Sequence, residues 1–270
     1  MEKMTEIFAY IFGMSAFRYF LIAGIPFALF YYVFKAKVEK YKIQQRAFRR
    51  KDAIREIMHS AQATFVFSII AFVVLFTPIA KYTLIYTDIT DYPIWWIAGS
   101  LILSLIIHDT YFYWMHRLLH HKKIYKYTHA VHHKSVNPSP WASYSFHVLE
   151  SVAEGLILVV LVFILPMHQI TILLFTVIGF MINVYGHLGY EIAPNALRNS
   201  VAFEVINTSV HHNLHHSQFN GNYGLYFRFW DRVMKTENPN YVKHYDMLAE
   251  KRKTFIKTDE FPADVGIERN

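Results

Sequence analysis

The sequence has no cysteine. Disulfides and thiolate metal sites are therefore excluded, while the compartment stays open. Charge is scarce: Asp, Glu, Lys and Arg make up 17% of the 270 residues, and long stretches carry almost none. No Gly-x-Gly-x-x-Gly loop of the dinucleotide-binding kind occurs. No haem-binding domain, low-complexity tract or solenoid repeat is visible either.

Apolar side chains are what the chain has in excess. They form 54% of it, aromatics form 17%, and the mean hydropathy is +0.19. The basic residues are bunched: residues 35–56 hold nine Lys or Arg against three acids, next to an apolar run. That pattern suits a membrane protein with a basic cytoplasmic flank, not a nucleic-acid binder.

A bilayer crossing needs roughly 20 apolar residues. Residues 7–34 supply such a stretch, with Arg18 inside it that must snorkel or face protein. Its length and acidic start argue against a cleaved signal peptide. Residues 36–60 read as an amphipathic connector, 61–80 as a second span, 81–93 as an outer loop, and a third span runs from Ile94 to about Trp114. Residues 148–186 form an apolar hairpin broken at 165–169, which crosses or dips in and returns. With 35–60 inside by the positive-inside rule, counting crossings places residues 116 and 187 on that same inner face. The expected organisation is N-terminal helices and connector over 1–93, a metal-binding unit over 94–240 and a polar C-terminal tail over 241–270, with its last ~20 residues mobile.

Of the sixteen histidines, all but His59 and His244 lie between residues 108 and 216. Four groups stand out: His116-x3-His120; His129-x2-His132-His133; His187 alone; and His212-x2-His215-His216. On a helix, residues three and four apart share a face, so each triple can present its rings to two adjacent metals. Nine imidazoles on one face are costly without a ligand, because buried neutral rings need partners and protonated ones repel. Imidazole suits Fe, Zn, Cu and Ni, and nine nitrogens exceed one ion's capacity. A single histidine would be read as a cap or a headgroup contact. Competing readings are a zinc site in a membrane carrier or sensor, and a metal-dependent lipid hydrolase. Ligands that follow the spans, outside a crossing path, speak against the carrier.

The segments "HDTYFYWMHRLLHH" (108–121), "THAVHH" (128–133), "FHVLE" (146–150), "GHLGYE" (186–191), "HHNLHH" (211–216) and "NYGLYFRFWDRVMKTE" (222–237) together resemble the fatty acid hydroxylase/sterol desaturase superfamily of integral-membrane di-iron oxygenases. The resemblance covers roughly residues 95–237, with "GHLGYE" closer to the sterol-desaturase side. It implies an all-α fold, with transmembrane hairpins topped by a cytosolic histidine-rich helical cap. It implies two iron ions, which zinc can replace in purified material, and ligands His116, His120, His129, His132, His133, His187, His212, His215 and His216. It also implies O₂-dependent hydroxylation or desaturation of a lipid drawn from the bilayer, with a separate electron donor. The location would be a bacterial inner membrane or the endoplasmic reticulum.

The third box supplies only His187, so a tenth ligand is open. His147 is the first choice; His108 is about 12 Å along a helix from His116. Asp109, Glu150 and Glu191 are candidates to accept ring N–H bonds or to form salt bridges. His121 and His211 are either ring supports or surface residues. Trp230 and Asp231 are read as structural.

Overall fold

The computed structural model describes residues 2–257. The chain runs through α1 (Glu2–Ala28), α2 (Lys35–Val38), α3 (Arg50–Phe76), β1 (Ile85–Tyr86), α4 (Trp95–Leu119), α5 (Val148–Ile164), β2 (Met167–His168), α6 (Gln169–Gly186), α7 (Val201–Val205), α8 (Ser209–Gln218), α9 (Phe229–Val233) and α10 (Tyr241–Lys257). The fold is all-α; β1 and β2 are two-residue strands, paired in parallel. Leu29–Val33 continue α1 as a π-helical turn just beyond Pro26, which has no N–H for the ladder.

Three described helices are long and apolar enough to cross a membrane: Glu2–Val33, Arg50–Phe76 and Gln169–Gly186. They carry exposed apolar side chains such as Phe17, Phe20, Ile25, Phe65, Ile69, Leu173 and Met181, as a lipid-facing surface requires. α4, where the third span was expected, is not among them: its 25 residues suffice, but its second half carries His108, Asp109, His116 and Arg117. At 17 residues, α5 is just short of a full crossing by length.

Contacts fix which ends lie together. Phe8 of α1 packs edge-on against Phe65 and Phe72 of α3, so the two helices are antiparallel. Ile85 and Tyr86, in the loop after α3, pair with Met167 and His168 at the tip of the α5–α6 hairpin. The hairpin thus runs as deep as the α3–α4 loop. At the opposite end Glu191 N donates to Tyr41 O (2.8 Å), and Lys42 bridges Tyr190. The basic connector and the chain leaving α6 therefore share one end.

That end is held by buried polar and aromatic contacts. Trp141 lies against Gly24, within a cluster of Tyr19, Phe27, Phe180 and Val184. Its carbonyl accepts from the Tyr19 and Ser60 hydroxyls, 3.0 Å each. Glu56 of α3 accepts from Ser135 (2.7 Å) and Ser139 (2.6 Å), which ties down the loop between His133 and α5.

The segment from residue 241, expected as a polar tail, is instead a packed helix as far as Lys257. Tyr241, Tyr245 and Leu248 bury one face against Phe203, Val210 and Leu214. Their i, i+4, i+7 spacing is an amphipathic stripe inside an otherwise polar stretch. The remainder of the expected mobile end falls beyond residue 257, outside the described residues.

Candidate metal centre

Four pieces of backbone converge at the connector end. The last turn of α4 carries His116, and His120, four residues on, is the helix's C-cap. His187 follows α6 directly, as its C-cap. α8 carries His212, His215 and His216. The fourth piece, residues 125–134, was expected to be a helical face and is instead a run of turns: 3₁₀ segments at Tyr125–Tyr127 and His132–Lys134 flank His129. Tyr, Thr, His and Val are weak helix formers and crowd this stretch. Two bonds of helical spacing survive, His129 N to Tyr125 O at 3.0 Å and His133 N to His129 O at 3.2 Å, and the second keeps the rings of His129 and His133 on one side.

The rings fall into two groups. Imidazole nitrogens of His116, His120, His129, His133 and His215 all lie within 4.8 Å of one another, as do those of His132, His187, His212 and His216. Each triple is divided in the same way. His129 and His133 enter the five-ring group while His132 turns to the other; His212 and His216 enter the four-ring group while His215 turns back. Adjacent histidines lean apart, as successive residues on a tight turn or helix must. The two groups touch through His133 and His216, whose ring centroids are 4.9 Å apart.

Hydrogen bonds on the far side of the rings decide which nitrogen faces inward. His116 Nδ1 donates to Tyr223 O (2.9 Å), His187 Nδ1 to Asn183 O (2.8 Å) and His215 Nδ1 to Gly221 O (2.7 Å). A carbonyl only accepts, so these Nδ1 atoms hold the protons and the inward Nε2 atoms are bare lone pairs. His129 Nδ1 is held in the same way by Glu150 Oε1 at 2.5 Å. Yet His116 Nε2 and His129 Nε2 stand only 2.9 Å apart. His187 Nε2 meets the Nε2 atoms of His132, His212 and His216 at 3.1–3.3 Å. Lone pairs converging at such distances need a cation between them, and the donor set fits a transition metal in each group.

The electrostatics agree. Burial pushes His187 and His215 down to about 4. Burial, reinforced by neighbouring imidazoles, holds His132, His133, His212 and His216 well below the ordinary histidine range. The rings are therefore neutral near pH 7, the form that ligates metals.

The other candidates are not drawn in. His147 caps α5, its Nδ1 accepting from Leu149 N at 3.3 Å, and lies outside both groups. His108 Nδ1 meets the Tyr226 hydroxyl at 2.8 Å, well short of the rings. Of the three carboxylates, only Glu150 touches a ring of either group. Asp109 accepts from Tyr226 N (2.7 Å) and Phe227 N (3.1 Å); it lies seven residues, about 10 Å along the helix, before His116. Glu191 accepts from Val210 N (3.0 Å) in the first turn of α8, where unpaired N–H groups attract a carboxylate. His121 is exposed, and His211 is buried 3.9 Å from Asp231. Glu56, silent in the sequence reading, is the buried anchor of the His133–α5 loop.

Trp230 and Asp231 are structural. Trp230 Nε1 donates to Thr110 Oγ1 (3.1 Å). Asp231 accepts from Tyr223 N (2.9 Å), Gly224 N (2.7 Å) and Thr236 Oγ1 (2.7 Å), and so shapes the loop whose Tyr223 carbonyl holds His116. Asp231→Ala strands these donors and is expected to cost about 3 kcal/mol, lowering Tm by roughly 6–12 °C in a thermal melt of the detergent-solubilised protein.

An apolar cavity begins beneath the histidines. Phe112 and Phe146 line it, and their rings lie 5.0 Å from His116 and 5.1 Å from His132, centroid to centroid. Phe67, Ile70, Phe175 and Phe180 continue its wall between α3 and α6.

The family model described as "Fatty acid hydroxylase" matches residues 101–236, the stretch that contains all nine converging histidines. The chain is 32% identical over 232 residues to the lathosterol oxidase of Rattus norvegicus, covering 85% of this chain and 72% of that protein. It is 31% identical over 217 residues to the Delta(7)-sterol 5(6)-desaturase ERG3B of Gibberella zeae, covering 80% of this chain and 64% of that protein, and 35% identical over 153 residues to the erg31 desaturase of Schizosaccharomyces pombe, covering 56% and 48%. No solved structure matches the chain. With its histidines gathered at one end of apolar helices and this match spanning both groups, the chain belongs to the fatty acid hydroxylase family.

Proposed function

We propose that this protein is a membrane-embedded oxidoreductase that uses O₂ to hydroxylate or desaturate a sterol or related lipid. His116, His120, His129, His133 and His215 would hold one iron ion, and His132, His187, His212 and His216 a second. The observation that carries the reading is the convergence of inward Nε2 lone pairs, at 2.9 Å between His116 and His129, above an apolar cavity. Iron bound there would supply O₂ activation and removal of hydrogen from an unactivated C–H bond.

The chain's own contribution is positioning. Backbone carbonyls of Tyr223, Asn183 and Gly221 and the Glu150 carboxylate fix the tautomers of His116, His187, His215 and His129, so these four rings present a bare Nε2. Phe112 and Phe146 keep the floor of the centre dry and guide an apolar chain or ring system towards it. Hydroxylation consumes one O₂, two electrons and two protons and releases one water; desaturation consumes the same and releases two. The electrons come from a separate donor. The basic connector lies at the histidine end, which supports a cytoplasmic orientation for the centre in a bacterial inner membrane or the endoplasmic reticulum.

Two measurements test the proposal. Lipids extracted from cells with and without the protein are compared by mass spectrometry for gain of one oxygen or loss of two hydrogens. O₂ uptake by the purified protein is expected to require iron, reductant and lipid together, and to survive His244→Ala. Lipid turnover that needs no reductant would favour hydrolysis, and metal binding with no turnover at all would favour a carrier. Zinc binds imidazole sites more tightly than Fe²⁺, so zinc in a preparation does not contradict iron-supported turnover.

A further inference from the structure

The cavity is apolar except for a few groups that the metal centre does not use. Arg18 of α1 and Glu154 of α5 both line it, yet among the described residues they form no ion pair, and Glu154 makes no hydrogen bond. Arg18 Nη1 donates to Thr176 Oγ1 at 2.9 Å, while its Nε is buried without an acceptor. The Thr176 proton is already given to Leu173 O, also at 2.9 Å, so Thr176 serves to aim the guanidinium. A cation and a carboxyl placed in an apolar membrane segment are costly, and such groups commonly mark a binding path. Here each lacks a partner that the other could have been.

We propose that Arg18 and Glu154 form an anchor for the hydroxyl of an alcohol-ended lipid, and so determine which lipid the centre oxidises; this rests on the lipid-oxidising reading above. A hydroxyl satisfies both at once, accepting from the guanidinium and donating to the carboxyl. A carboxylate would gain from Arg18 but bring no donor for Glu154, so the balance selects an alcohol over a fatty acid.

The probes are cholesterol, its analogue cholestane, which lacks the hydroxyl, and hexadecanoic acid, bound at equilibrium to the detergent-purified protein. Cholesterol is expected to bind at least tenfold more tightly than cholestane and than the acid. Arg18→Met and Glu154→Leu should each abolish that preference, and Arg18→Lys should restore part of it. Metal content, measured on every variant, separates a lost anchor from a lost fold. Equal binding of cholesterol and cholestane, tighter binding of the acid, or an unchanged preference in a metal-replete Arg18→Met protein would overturn the anchor. Failure of the oxidase reading is distinguishable: the preference would stand while iron- and reductant-dependent O₂ uptake is missing.

Discussion

Replacing His215 by Ala is expected to reduce lipid oxidation below about one thousandth of the wild-type rate, within the 10⁶-fold or greater range that enzymes gain over uncatalysed reactions. His215 is the one residue of the α8 triple that points into the five-ring group, and its Nε2 lies 3.0 Å from His133 and 3.2 Å from His120. Its orientation is built into the backbone. Nδ1 donates to the carbonyl of Gly221, a residue at φ +77°, where an added Cβ would stand 2.4 Å from Thr236 O. Only glycine accepts both demands, so the carbonyl that aims His215 depends on that position. Removing the ring opens the five-ring group from inside and leaves the four-ring group intact. Bound iron should fall from two ions per chain towards one, with helical circular dichroism unchanged. Both quantities are measured on the purified variant beside His244→Ala, which should match wild type. A His215→Ala protein with full activity and full metal content would refute the assignment.

Much of this site is legible in the chain because histidine spacing is a local property. The i, i+3, i+4 pattern at 129–133 and 212–216 already implies that neighbouring rings diverge. The basic run at 35–56 together with a count of apolar stretches places residues 116 and 187 at the same end. Which ring joins which group is tertiary: it depends on α8 and the 125–134 turns facing each other, and no spacing encodes that. The helical reading of 129–133 fails because propensity there is weak, and contacts with α4 and α8 decide the backbone. Asp109 and Glu191 look like ring supports from their neighbours in sequence, but backbone N–H groups of residues 226–227 and of the start of α8 reach them first. The packing of α10 is hidden by its charge, since Tyr241, Tyr245 and Leu248 form too narrow a stripe to stand out among lysines and acids. Arg18 is visible as an oddity, but its cavity is made by helices distant in sequence.

Glu150→Leu is expected to weaken metal binding in the five-ring group by about 10- to 100-fold, the usual cost of losing a carboxylate behind a ligating imidazole. Glu150 is wholly buried, and Oε1 takes the His129 Nδ1 proton at 2.5 Å, while Oε2 has no partner. The carboxylate thus has one task, which is to hold that proton on the outer nitrogen and leave Nε2 bare towards His116. Without it, the ring is free to adopt the other tautomer and to rotate, and an inward N–H would oppose a cation. Glu150→Gln keeps an acceptor of the same shape and should lose far less, which separates the hydrogen bond from the packing of the side chain. The four-ring group is an internal reference, because His187 is oriented by the Asn183 carbonyl, which neither substitution touches. Metal removal by a chelator, followed per chain, should therefore turn from one phase in wild type to two in Glu150→Leu, with the early phase belonging to the five-ring group. A single unshifted phase would mean that the His129–Glu150 contact does not tune the metal and serves packing alone.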